Sequence, residues 1–201
     1  MNDVERALSE IEDIRAYLAA STRFRGIAPE VNALASVLSL VIAAAQTIWP
    51  QDAFHYVAAW AAATIAFIVI AAIEAVSRAR RLHGRMADAM LNTALRQVLP
   101  FAAAGIIITM VISKFSSDTA WMLPGLWQIL IGLLGFSALP NLPRAMVWVA
   151  GWYFLCGTIV LALAGRSGVL SPWMMGLPFA IGQAVVAVIL YRANGERDVQ
   201  A

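Results

Sequence analysis

Cysteine, histidine and lysine are almost missing from this chain, which has one Cys, two His and a single lysine, Lys114. Cys156 stands alone inside an apolar stretch, so no intrachain disulfide, CxxC redox pair or cysteine-based zinc site can form. It reads as a small packing residue. His55 and His83 fall on opposite faces of the membrane in the topology derived below, and they cannot share a metal or bind haem as a pair. Gly165-Arg166-Ser167-Gly168 has the GxSG form of rhomboid intramembrane proteases. That catalytic dyad needs a histidine in a later span, and none follows His83.

Charge is scarce as well: 13% of the 201 residues are charged and 61% are apolar, at a mean hydropathy of +0.76. A soluble domain holds roughly half apolar and about a quarter charged residues, so water is not the main solvent of this one. Between the charged intervals run apolar stretches about 20 residues long, enough to cross roughly 30 Å of hydrocarbon at about 1.5 Å per residue. No Asp, Glu, Lys, Arg or His falls at a predicted bilayer midplane, where proton relays and charged-substrate sites place one, so ion-coupled transport is disfavoured. The first 25 residues are charged and periodic and do not read as a cleavable signal peptide, so the N-terminus is expected to be retained.

What is present is a set of six predicted spans, at about 27 to 48, 54 to 76, 98 to 115, 120 to 139, 143 to 164 and 171 to 191. The expected fold is an all-α integral membrane protein, a six-transmembrane-helix bundle over 26–191, with a cytoplasmic amphipathic helix over 1–25 and a short tail over 192–201. Pro29 and Ser171-Pro172 sit where a helix opens, Asp118 is the predicted cap of the fourth span, and Trp49-Pro50 and Pro140-Asn141-Leu142-Pro143 mark turns. The third span is predicted to be the shortest and contains Pro100.

The basic residues orient the spans. Arg6, Arg15, Arg23, Arg25, Arg78, Arg80, Arg81, Arg85, Arg96, Arg144, Arg192 and Arg197 share one side, and only Lys114 and Arg166 lie on the other. Both termini and the basic segment 77–97 are therefore expected in the cytoplasm. The excess of arginine over lysine and the abundance of alanine suggest a GC-rich bacterial genome, hence an inner membrane. Trp49, Trp121 and Trp173 then lie near the outer interface and Trp148 near the inner one, as interfacial anchors.

A short internal similarity runs through the chain. Val57-Ala58-Ala59-Trp60 recurs as Val149-Ala150-Gly151-Trp152, and Leu99-Pro100-Phe101-Ala102 as Leu177-Pro178-Phe179-Ala180. Read as duplication, it makes a 3+3 repeat whose second copy is inverted in the membrane, an arrangement that transporters use to build a site between the halves.

Three groups of residues are candidate sites. Asn32, Ser36, Ser39 and Gln46 form a polar file along one face of the first span, with Ala43 filling the missing step, and that face is expected to turn toward other helices or line a polar path. Glu30 and Glu74 fall at nearly one depth on adjacent antiparallel spans, with Arg25, Arg78 and Arg81 in reach, as an interfacial ion-pair cluster or a proton-linked site. Val4, Leu8, Ile11, Ile14 and Leu18 make the apolar stripe of the N-terminal helix, whose back carries Asp3, Glu5, Glu10, Glu12 and Asp13. An acidic helix is poorly suited to anionic lipid, so it is expected to dock on protein: its own segment Arg78 to Arg85, a second copy, or another chain.

These features lead to a non-catalytic membrane protein acting by contact, as an accessory, regulatory or assembly subunit. The alternative is a channel or transporter for a small neutral or weakly acidic solute. Besides the lipid bilayer, the expected partner is a protein or a second copy; no cofactor, metal or nucleic-acid partner is expected.

Overall fold

The computed structural model describes residues 29–49, 52–83 and 87–198, and every regular element among them is helical. Six long helices run in order: α1 Pro29–Ile48, α2 Ala53–His83, α3 Ala87–Phe115, α4 Leu123–Ala138, α5 Met146–Ser167 and α6 Trp173–Asp198. A 3₁₀ turn over Ser117–Met122 leads into α4, and a second over Leu139–Asn141 leaves it. Six helical stretches are long and apolar enough to cross a membrane, from Pro29–Ile48 to Trp173–Ala193. The chain is a multi-pass α-helical membrane protein by that criterion.

The turn residues act as expected at several points. The helix α6 starts directly after Pro172. Gly168 ends α5 with φ of 62°, a left-handed conformation that favours glycine, and its N–H donates to the Ala164 carbonyl at 2.7 Å.

Two expectations change. Asp118 does not cap the fourth span: it lies within the 3₁₀ turn and accepts a bond from the Ser117 hydroxyl at 3.4 Å, while α4 begins after Met122 with no side-chain cap. The third span, predicted as the shortest, covers Asn92–Phe115, 24 residues. Counting apolar residues stopped it at the polar group Asn92, Thr93, Arg96 and Gln97, yet these lie within one helix that continues through Pro100. Loss of one backbone donor does not break it, and the Gln97 side-chain amide reaches across to donate to the Ser137 carbonyl of α4.

Lipid tails are as apolar as leucine, so helices in a bilayer gain little by merely hiding apolar side chains and associate through close packing and hydrogen bonds. Two pairs in this bundle show it. Along α4 and α5, a Cβ placed on Gly125 would come within 2.8 Å of the Gly157 carbonyl oxygen, and one on Gly157 within 2.6 Å of the Gly125 carbonyl. Backbone meets backbone there. Between α1 and α6, a Cβ on Gly176 would collide with the Ala43 Cβ.

The bundle has two ends. The upper one carries the turns near Trp49, Ser116 and Gly168, and the lower one carries the turn near Asn141. At the upper end Ala43, Tyr56, Val57, Trp60, Leu123 and Met175 form one buried cluster, with Ile108 and Ile112 of α3 packed against it. At the lower end a second cluster, Met146, Val149, Tyr153 and Leu190, belongs to α5 and α6 with flanking residues of α4. The two ends differ in what α2 and α3 contribute. In the 53–77 span of α2 only Tyr56, Val57 and Trp60 are buried, and no residue of α3 from 92 to 115 is. Ile65, Ile68, Val69, Ile73, Ile106 and Ile107 instead face outward.

Candidate functional site

The polar file of α1 is turned into the bundle. Asn32, Ser39 and Gln46 are each 5% exposed, and Ala43 between the last two is fully enclosed. Ser36 donates its hydroxyl to the Ala180 carbonyl of α6 at 2.7 Å. Ser39 bonds within its own helix, to Ala35 O at 2.7 Å, and the Gln46 Oε1 accepts the Trp60 indole N–H of α2 at 2.9 Å. The spacing that aligns these residues thus presents them to α6 and, at the upper end, to α2.

Facing them is the segment of α6 around Pro178. A proline has no N–H, and its ring pushes away the carbonyl four residues earlier, so Met174 O loses its helical partner. The Gln128 amide of α4 donates to that carbonyl at 2.8 Å. Further along the same segment, the Trp152 indole donates to Pro178 O at 3.0 Å and the Tyr153 hydroxyl to Phe179 O at 3.4 Å, both from α5. With Ser36 on Ala180 O, side chains of three helices bond four carbonyls between residues 174 and 180. Gln183 completes the set by donating to the Tyr153 hydroxyl at 3.3 Å.

Gln128 and Gln183 were not among the expected site residues. A signal was there: each is the one amide side chain in its apolar span, and a buried amide in lipid needs a partner. What could not be read is that Gln128 stands opposite the carbonyl freed by a proline 50 residues further along the chain (178 − 128 = 50).

Of the other candidates, Glu30 lies exposed in the first turn of α1, and Glu74 is half-buried on α2. Arg78 and Arg81 continue α2 beyond Glu74, and Arg25 lies outside the described residues. The N-terminal stripe of Val4, Leu8, Ile11, Ile14 and Leu18 also lies outside them. Among the described residues, no group of three or more His, Cys, Asp or Glu is placed to hold a metal ion.

One charged feature is well defined at the upper end. Asp52 caps α2, its Oδ1 accepting the His55 backbone N–H at 2.8 Å and lying 2.7 Å from His55 Nδ1. The His55 backbone bond, followed by the ring contact, holds the Asp52 carboxyl below the usual carboxylate range. A depressed folded pKa means the cap stabilises α2 above the usual carboxylate pKa and loses that contribution as pH falls through the lowered value. Asp52→Asn keeps an acceptor but removes the titration, so its acid unfolding profile is expected to be flatter than that of the parent chain below pH about 4. Superimposable profiles for the two proteins would show that the cap does not titrate with folding.

The groups gathered around α6 are amides, indoles, hydroxyls and carbonyls. They can orient and bind neutral hydrogen-bonding groups; none is a general acid, base or nucleophile activated by a neighbour. No protein-family model, curated protein or solved structure matches this chain.

Proposed function

We propose that this chain is a non-catalytic subunit of the bacterial inner membrane that acts by contact, in an accessory, regulatory or assembly role, through helices on its cytoplasmic side. The observation that carries this reading is how α2 and α3 continue beyond their apolar spans. The apolar span of α2 ends at Ser77 while the helix runs to His83, and α3 starts at Ala87, ahead of its span at Asn92. At about 1.5 Å per residue these extensions project roughly 8 to 9 Å past the spans. They carry Arg78, Arg80 and Arg81, opposite in charge to Asp3, Glu5, Glu10, Glu12 and Asp13 of the N-terminal sequence. The polar file of α1 supports the same reading, because Ser36 and Gln46 make bonds between helices.

The orientation rests on the basic residues, which in this reading put both termini and the α2–α3 turn in the cytoplasm. Glu30, Glu74 and the nearby arginines then form an ion-pair cluster at the inner boundary. Single cysteines placed at 118 or 168 are expected to react with an impermeant reagent in intact cells, and those at 82 or 197 only after lysis. Labelling of position 82 from outside would reverse the topology.

The contact role is tested by mild extraction of the full chain and of a chain starting at Arg23. A protein that co-purifies with the first and is lost from the second, with both chains equally inserted, is the expected result. Equal recovery of partners by both removes the N-terminal segment from the role.

A second reading, a passage for a small neutral or weakly acidic solute, is favoured by the proline-interrupted α6 with its side-chain-bonded carbonyls. In it, α1–α3 and α4–α6 are the two halves of the inverted repeat. Trp60 and Trp152 stand at similar distances into their helices, 60 − 53 = 7 and 152 − 146 = 6 residues.

A further inference from the structure

The buried amides of Gln46 and Gln128 are each half used. Trp60 Nε1 can only donate, so it fixes Gln46 with its oxygen toward the indole and its Nε2 turned away. Met174 O can only accept, so it fixes Gln128 with Nε2 toward α6 and Oε1 turned away. Among the described residues neither Gln46 Nε2 nor Gln128 Oε1 has a hydrogen-bond partner, although the side chains are 5% and 0% exposed. Partner chemistry therefore sets which atom is left over in each amide: one donor and one acceptor.

Gln46 and the bond from Gln128 to α6 fall at one level of the bundle. Gln46 is three residues above the Ala43 contact with Gly176, about 4.5 Å, and Met174, where Gln128 bonds, is two residues above Gly176, about 3 Å. They also border the same buried cluster. Gln46 touches it through Trp60, and Gln128 through Met175, whose Sδ lies 3.8 Å from its Nε2. Tyr56 belongs to that cluster too, and its hydroxyl reaches Ser171 O only at 3.5 Å, the long limit of a hydrogen bond. Burying amide atoms without partners is costly, and more so in a bundle surrounded by lipid.

We propose that the upper core is a binding site for one small neutral molecule that both accepts and donates hydrogen bonds, accepting from Gln46 Nε2 and donating to Gln128 Oε1, with the Tyr56 hydroxyl as third partner. Water is the smallest molecule of this chemistry, and simple amides and alcohols share it. Ions are excluded, because the cluster holds no charge to offset their desolvation. The site is independent of the contact role and does not require a partner protein.

Radiolytic hydroxyl labelling of the full chain in nanodiscs tests this, since X-rays turn bound water into radicals that oxidise an adjacent methionine. Met175 and Met146 are equally hidden, 2% and 5% exposed, but only Met175 is in direct contact with one of the two amides. Met146 shares its cluster with Tyr153, beside which a third amide oxygen, Gln183 Oε1, is also without a partner among the described residues. Met175 is expected to oxidise on the order of ten-fold faster than Met146, because a water with three polar partners stays in place. Slow oxidation of Met175, unchanged by Gln46→Leu and Gln128→Leu, overturns the proposal. Gln46→Leu and Gln128→Leu should each lower labelling of Met175 several-fold and leave Met146 unchanged. Acetamide added before irradiation separates the sources: protection of Met175 means the site accepts a small amide, and undiminished labelling means it holds water alone.

Discussion

Gly157→Ala is expected to destabilise the protein by about 1–3 kcal/mol, and Gly157→Leu by more, although both raise helix propensity. The added Cβ would sit 2.6 Å from the Gly125 carbonyl oxygen and 2.9 Å from Ile129 N, atoms of the α4 backbone that cannot rotate aside. The helices must then separate, and with them go the contacts along the seam, where Gly132 approaches Phe154 N within 2.8 Å of where its Cβ would be. Gly151 on the same helix is the control. Nothing lies within 4 Å of the Cβ it lacks, so Gly151→Ala should be neutral or stabilising by up to about 1 kcal/mol. Unfolding titrations in mixed micelles compare the three. Equal effects at 151 and 157 would mean that α4 and α5 do not meet through backbone.

The bond between Gln128 and the carbonyl freed by Pro178 is worth a separate measurement. Gln128→Leu leaves Met174 O without a donor in an apolar core, which costs about 1–3 kcal/mol. Pro178→Ala returns a backbone N–H to the same carbonyl, so it should make the Gln128 donor partly redundant. In a double-mutant cycle the loss caused by Gln128→Leu is expected to shrink by about 1 kcal/mol when residue 178 is alanine. Strict additivity would mean that Gln128 and Pro178 do not act on one group.

These two results bear on function as well as stability. If α4, α5 and α6 are locked by glycine seams and amide bonds, movement would fall to α2 and α3, where none of the described residues 61–77 and 92–115 is buried. Those are also the helices that continue past their apolar spans, where the proposed contact would be made. A protein that works by contact can use such a division between a tightly packed bundle and a more exposed hairpin, because a partner gripping α2 and α3 need not break the tighter packing behind them.

Much of the architecture follows from the sequence itself, for a physical reason particular to lipid. A backbone crossing hydrocarbon has to satisfy its own hydrogen bonds, so an apolar run of sufficient length can only be a helix, and six such runs give six helices. The proline at 172 and the glycine at 168 mark boundaries because their effects are local, and the file of Asn32, Ser36, Ser39 and Gln46 shares a face because the helical period puts it there. The same locality misled at Asp118, which has the chemistry of a cap but lies in a 3₁₀ turn, and at the third span, where polar residues that the helix accommodates looked like its end. Which helix each face meets was left to the tertiary structure. Leucine gains little over lipid by touching leucine, so neighbours are chosen by close approach and by directional bonds, and both depend on atoms distant in sequence. Ser36 reaches a carbonyl 144 residues away, and Gln128 answers a proline in another helix. Only the packed bundle brings Gln46, with its leftover donor, and Gln128, with its leftover acceptor, to the border of one buried cluster.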